Sequence, residues 1–286
     1  MVNLDMVFSR IFTGRLTEGP SGYPREVLET WGLTTWSHEA GKPKPWEPQT
    51  PAERLIAEKA LHNKNRYGGD MKFVRRQLVG NSISFKDMYW PNKTVPYAID
   101  KSIPSKYHNV IERAVEQYHK LTCLNFVKRT NQKDYIKFEK IRNEDGCWSY
   151  VGYSKTGAQT INLDEGCYYI GTIVHEIGHA IGFWHEHQRH DRDKYLTINT
   201  KNIMQGLQDQ FTLTKPQDEI IYSNFDYNSI MIYGNYAFST DLWNLKTIEA
   251  KDKRELTEPF NKPGLDNSDI QRVECMYCKT CKEIKP

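Results

Sequence analysis

The run His175-Glu176-Ile177-Gly178-His179-Ala180-Ile181-Gly182-Phe183-Trp184-His185 holds three histidines, a glutamate and glycines at spacings that suit a catalytic metal. Neutral imidazole is a good zinc ligand, and three protein ligands leave a fourth position open for water. On a helix, His175 and His179 stand one turn apart and point the same way. Glu176 is turned about 100° from His175 at 3.6 residues per turn, beside the ion, where a general base is needed. Gly182 can take the left-handed conformation that ends a helix, which lets the chain double back and bring His185 to the same ion. Five fixed positions of this kind arise by chance in a chain this long with a probability on the order of 10⁻⁵ to 10⁻⁴. A helix of merely satisfied core histidines is therefore set aside in favour of a zinc site.

The chain that must position this site has 286 residues, room for one large domain or two smaller ones, with 26% charged residues and a net charge of +3. That balance points to no nucleic-acid partner, and the scattered Lys and Arg read as solvated surface. Six cysteines lie in the second part of the chain, at 123, 147, 167, 275, 278 and 281. Their even count and wide spacing predict disulfides and an oxidising, extracellular compartment. The sequon Asn92-Lys93-Thr94 is compatible with secretion. No stretch approaches the ~20 apolar residues of a membrane span. Residues 1–20 show no signal-peptide core, so the expectation is a true start upstream of Met1.

Residues 1–50 mix Gly, polar residues and clustered prolines, and read as poorly ordered. Thr50-Pro51-Ala52-Glu53 is a capping box with proline at the first helical position, and predicts a short helix to about His62. Tyr67-Gly68-Gly69-Asp70 is a turn signal, followed by the dibasic pair Arg75-Arg76. From about Asn81 the texture changes. Strands are predicted at 95–99, 135–139 and 160–163, and an amphipathic helix at 105–121 with Val110, Ile111, Ala114, Val115 and Tyr118 on one face. The histidine helix is predicted to start near Thr172, as its cap, and to end at Gly182. After Arg189 the chain is polar and loop-rich, with a closing helix predicted over 268–277.

Several segments together resemble the astacin family of zinc endopeptidases, over roughly residues 81–281. Glu186 directly follows the third histidine, Ser229-Ile230-Met231-Ile232-Tyr233-Gly234 is similar to the family's methionine turn, and Cys147 to Gly152 and Asp191-Arg192-Asp193 look like family segments. The family usually has histidine where this chain has Ile232, which predicts altered packing beside Tyr233. The resemblance implies an α+β, metzincin-like (zincin-like) catalytic domain. It would have a twisted sheet and active-site helix in an upper half, an irregular lower half, and a cleft between them. It implies one zinc held by His175, His179 and His185, Glu176 as catalytic base, and Met231 as an apolar floor. Tyr233 would be a movable additional ligand that hydrogen-bonds the developing oxyanion.

The same resemblance implies a zymogen, with residues 1–80 as an inhibitory pro-segment and 81–286 as the catalytic domain. Asp70, in Gly69-Asp70, would occupy the zinc's open position until cleavage between Asp70 and about Asn81 by an activating protease. The new amino terminus would then reach Glu186 through water. The family's disulfides suggest Cys147–Cys167 and a bridge from Cys123 to the carboxyl-terminal end. For that bridge Cys281 has the better spacing and Cys278 is close, with Cys275 and the remaining cysteine paired locally or free. A three-thiol metal knuckle at 275–281 is the weaker reading. Lys251, Lys253 and Arg254 read as a solvated charge run, with a preference for acidic substrates as the rival. The expectation is a secreted monomeric endopeptidase acting on proteins or peptides. The alternative is a catalytically inactive relative that binds proteins through the cleft, against which the intact Glu176 and three histidines speak.

Overall fold

The structure is a computed structural model that describes residues 47–74, 85–278 and 281. The expected disorder of residues 1–46, the Arg75-Arg76 pair and the region of Asn81 lie outside the described residues.

The upper half is a six-stranded sheet with the order β1-β5-β6-β4-β2-β3. Its strands are β1 (Met71–Lys72), β2 (Thr94–Ile99), β3 (Asn125–Lys128), β4 (Tyr135–Glu139), β5 (Cys147–Tyr150) and β6 (Ala158–Leu163). Alternation decides their faces: in β4, Ile136 and Phe138 are buried while Tyr135, Lys137 and Glu139 are only partly so. Val95, Phe126, Ile136, Phe138, Ile161 and Leu163 of the sheet share one apolar core with Ile111, Ala114, Val115 and Tyr118. Those four lie on α2 (His108–Leu121), preceded by a short 3-10 turn at Ser105–Tyr107.

The histidine helix α3 spans Ile170–Ile181, and every residue in it is buried. A helix enclosed on all sides belongs at the centre of a molecule. Its start differs from expectation. Tyr169 is at the N-cap without a side-chain bond, and Thr172 lies inside the helix, because Ile170 and Ile173 are both drawn into the core. Its end is as expected, with Gly182 at φ 113°. Two of its last carbonyls, which have no partner within the helix, accept from outside it: Ala180 from Trp90 Nε1 at 2.8 Å and Ile181 from Tyr277 Oη at 2.7 Å.

The segment before the sheet is part of the same body. Helix α1 (Pro51–Leu61) carries the expected capping box, with Glu53 N–H donating to Thr50 Oγ1 at 3.1 Å and Thr50 N–H to Glu53 Oε2 at 3.0 Å. Ala60 enters the upper core, whereas Ala57 and Leu61 enter a second core in the lower half. The helix lies so close to two loops that a Cβ on Gly146 would come within 2.4 Å of Ala60 O, and one on Gly166 within 2.8 Å of Ile56 O. Beyond the turn, β1 adds itself in parallel to β5, the outer strand of the other five. Ser149 N–H donates to Asp70 O at 2.9 Å and Val151 N–H to Lys72 O at 3.0 Å.

The lower half has little regular structure: a two-stranded ribbon of β7 (Leu196–Ile198) and β8 (Ile248–Ala250), 3-10 turns, and α4 (Asn267–Val273). Buried side chains therefore satisfy its backbone. Lys262 Nζ donates to Ser229 O (2.7 Å) and Ile232 O (2.9 Å), and Arg192 Nη1 to His187 O (2.8 Å) and Phe211 O (2.7 Å).

The disulfides are Cys147–Cys167, Cys123–Cys278 and Cys275–Cys281. The first matches expectation. The second corrects the preference for Cys281: after α4 the chain continues in a wider turn over Glu274–Cys278, which brings the Cys278 Cα within 6.1 Å of that of Cys123. Cys275 then pairs locally with Cys281, which leaves no thiols for a metal knuckle.

Candidate metal centre

The Nε2 atoms of His175, His179 and His185 lie 3.1, 3.2 and 3.3 Å from one another, and the Asp70 carboxylate faces all three. Asp70 Oδ2 is 2.9 Å from His175 Nε2, and Oδ1 is 3.1 Å from both His179 Nε2 and His185 Nε2. All four residues are fully or almost fully buried.

Each ring's other nitrogen faces an acceptor: His175 Nδ1 the Ile230 carbonyl (2.8 Å), His179 Nδ1 the Phe183 carbonyl (2.8 Å), His185 Nδ1 Gln188 Oε1 (3.0 Å). Those contacts put the hydrogen on Nδ1 and turn a lone pair inward from each Nε2. Three lone pairs and a carboxylate converging without a proton among them are the donor set of a cation. Burial holds His175 down to about 4 and His185 below its ordinary value, so both rings are neutral, as ligation requires. Burial opposes the charge of Asp70, yet the three histidines hold its carboxyl well below the usual range. The four residues are positioned for one metal ion.

Around this centre stand the other expected residues. Glu176 is fully buried and neither of its oxygens has a hydrogen-bond partner. Burial, reinforced by the charge of Asp70, raises its carboxyl well above the ordinary value. The Tyr233 hydroxyl lies 2.6 Å from Asp70 Oδ2 and 3.0 Å from Gly68 O. Met231 packs under α3 at Gly178, where a Cβ would come within 2.7 Å of the Met231 sulfur. Ile232 is fully buried in the lower core with Ala57, Leu61 and Phe260.

A comparison with protein families matches the Astacin peptidase family over residues 82–278. The chain belongs to the astacin family. It is 36% identical over 222 residues to astacin-like metalloprotease toxin 1 of Loxosceles intermedia, covering 76% of this chain and 82% of that protein. It is 32% identical over 245 residues to zinc metalloproteinase nas-6 of Caenorhabditis elegans, covering 82% and 70%. Among solved structures it resembles high choriolytic enzyme 1, a hatching enzyme zinc-protease of the medaka Oryzias latipes. That likeness has a TM-score of 0.61 and 31% identity, over 70% of this chain and 98% of that one. This astacin is therefore a zinc-dependent endopeptidase with a mixed α/β fold and one zinc ion, acting on proteins or peptides. No helix among the described residues is long and apolar enough to cross a membrane.

Several residues of the centre were not legible in the sequence. Gln188 orients His185 and is itself fixed by donating to Gln210 O at 3.0 Å; its three-residue spacing from His185 was the only signal. His187 is buried, stacked 4.8 Å behind Tyr233. In the uncut chain the Glu186 carboxylate has three partners. Oε1 accepts from Arg189 Nη1 (2.8 Å) and Asp226 N–H (2.9 Å), and Oε2 from Arg272 Nη1 (2.8 Å). Beside it lies a cavity of about 90 Å³ lined by Met88, Tyr89, Trp184 and Tyr222 among others. Lys251, Lys253 and Arg254 of the charge run are all exposed, and Arg254 lies over the Tyr227 ring at 4.4 Å.

Proposed function

We propose that this astacin is a secreted, monomeric zymogen in which residues 1–80 are the pro-segment and 81–286 the catalytic domain. His175, His179 and His185 hold the zinc, and Asp70 takes its fourth position until the chain is cut. The observation that carries this reading is the Asp70 carboxylate, 2.9–3.1 Å from all three Nε2 atoms. A carboxylate there excludes the water needed for attack.

Zinc bound at this site supplies Lewis acidity and lowers the pKa of its water toward ~7. The chain's own groups supply the proton traffic. Burial and the charge of Asp70 raise the Glu176 carboxyl above its ordinary value in the uncut chain. Departure of Asp70 removes one of those two causes and lets Glu176 serve as the base that accepts a proton from water and later delivers it to the leaving amine. Tyr233, freed from Asp70 and Gly68, offers its hydroxyl hydrogen where negative charge collects on the scissile carbonyl oxygen. No serine or cysteine nucleophile is required.

An activating protease would cut between Asp70 and about Asn81, where Arg75-Arg76 offers a dibasic site. Three disulfides support an extracellular setting. The cavity beside Glu186 offers the new amino terminus a place to lodge. In the latent state Arg189 and Arg272 already neutralise Glu186, so that terminus would join an existing network. The reading is tested with Glu176→Gln in the activated enzyme. Retained zinc with peptide hydrolysis reduced by about 10³-fold or more is expected of a lost general base; hydrolysis at the wild-type rate would remove Glu176 from that role.

A further inference from the structure

Strand β5 carries two aromatic rings on one face, since Trp148 and Tyr150 are two residues apart. Their centroids lie 5.8 Å apart, edge to face. Two cations from the segment before the sheet sit against them. Lys72 Nζ is 4.5 Å from the centroid of the Trp148 ring and 5.4 Å from that of Tyr150. The Arg66 guanidinium carbon is 4.8 Å from the Trp148 centroid. All three distances lie within the ~6 Å at which the negative face of a ring attracts a cation. Arg66 Nη2 also forms an ion pair with the Glu144 carboxylate, whose side chain is 31% exposed. Two rings and an acid thus make a recess that suits a basic side chain.

The place of this recess follows from the strand pairing. Lys72 stands opposite Tyr150 in the parallel ladder of β1 on β5, and it is two residues beyond Asp70, about 6–7 Å along a strand. Asp70 faces the three histidines, so a chain that crosses the metal and pairs with β5 delivers a side chain to the recess. Residues 70–72 do this with two backbone bonds, Ser149 N–H to Asp70 O and Val151 N–H to Lys72 O. An added strand is held by its backbone and selected by its side chains at alternate positions. A buried tryptophan usually finds an acceptor for its N–H, yet Trp148 is 1% exposed and its Nε1 has none.

We propose that Trp148, Tyr150 and Glu144 form a subsite that selects a basic side chain, arginine or lysine, of the protein or peptide substrate. Arg66 and Lys72 fill it in the uncut chain. The inference rests on reading residues 1–80 as a pro-segment. When that segment leaves, β5 becomes the outer strand of the sheet, the two rings are uncovered, and Glu144 loses its arginine partner. A substrate chain that lies along β5 as residues 70–72 do then places its own cation on the rings, about two or three residues from the cut bond.

The test compares peptides that carry arginine, or its neutral isostere citrulline, at each position flanking the cut bond in turn. The full-length chain is cleaved at Arg75-Arg76, freed of the released segment, and kcat/KM is measured. A preference for arginine of about tenfold or more is expected at one position. Trp148→Leu should abolish that preference, and Glu144→Gln should lower it about threefold. Damage to the fold alone would slow both peptides alike and leave their ratio unchanged. Glu144 is partly exposed, so its variant reads the subsite however well Trp148→Leu folds. An unchanged ratio in both variants overturns the subsite, as does a wild-type enzyme that treats arginine and citrulline alike at every position. Activity that does not depend on release of the segment would remove the pro-segment reading, and the subsite with it, because Arg66 and Lys72 would stay in the recess.

Discussion

The two halves of this astacin hold their backbones by different means. In the upper half the ladder between strands does the work, as where Tyr97 pairs with Ile136 and Phe138 with Ile161. In the lower half buried side chains act as struts: Lys262 on two carbonyls of the methionine turn, Arg192 on two more, and Asn235 donating to Ile248 O and accepting from Leu256 N–H, both at 2.8 Å. The difference bears on the cleft. The rigid half contributes the histidine helix. The strutted half contributes Tyr233, which meets Gly68 and Asp70, and Glu258, which meets His62.

The comparison breaks most visibly in the upper core. Phe138→Ala should cost about 3–5 kcal/mol, since a fully buried ring leaves a cavity in a close-packed layer. Urea unfolding would register it, and a cost below about 1 kcal/mol would mean that the sheet is not the rigid partner.

Next comes a strut. Lys262→Met should cost about 2–3 kcal/mol by leaving the Ser229 and Ile232 carbonyls unsatisfied. Burial lowers the Lys262 ammonium from 10.5 to about 8. Between those values the unfolded chain binds more protons than the folded one, so wild-type stability should rise with pH across that window. Lys262→Met should lack that rise, and identical pH profiles would mean that Lys262 is no buried strut.

The smallest effect sharpens the role of the segment that spans both halves. Thr50→Ala removes one side of the capping box and should cost about 1 kcal/mol. It should appear as faster limited proteolysis within residues 51–74 while the catalytic half stays protected. Equal loss of protection in both halves would contradict the separation.

How much of this was readable in the sequence follows from distance along the chain. The three histidines lie within eleven residues of one helix and its exit, so spacing alone announces them. Thr50-Glu53 is equally local and was equally legible. Asp70 is separated by 105 residues from His175, and Tyr233 by 163 from Asp70; only resemblance to the family pointed to either. The Ile230 and Phe183 carbonyls that orient the histidines carry no side-chain signature at all. Glu58, His62 and Glu258 are ordinary residue types that come together only where α1 meets the lower half. Strand β1 is two residues long, too short for alternation to show. The Cys278 pairing turned on the wide turn after α4, which no periodicity announces.

The central claim is that Asp70 and the three histidines share one zinc ion in the uncut chain. Sulfur lies about 2.3 Å from zinc, against about 2.0–2.2 Å for nitrogen and oxygen. X-ray absorption at the zinc edge on full-length Asp70→Cys, loaded with one zinc per chain, therefore reads the fourth position directly. A sulfur shell at about 2.3 Å beside the histidine nitrogens is the expected result. A spectrum with only nitrogen and oxygen neighbours, from a folded and zinc-loaded chain, would contradict the account.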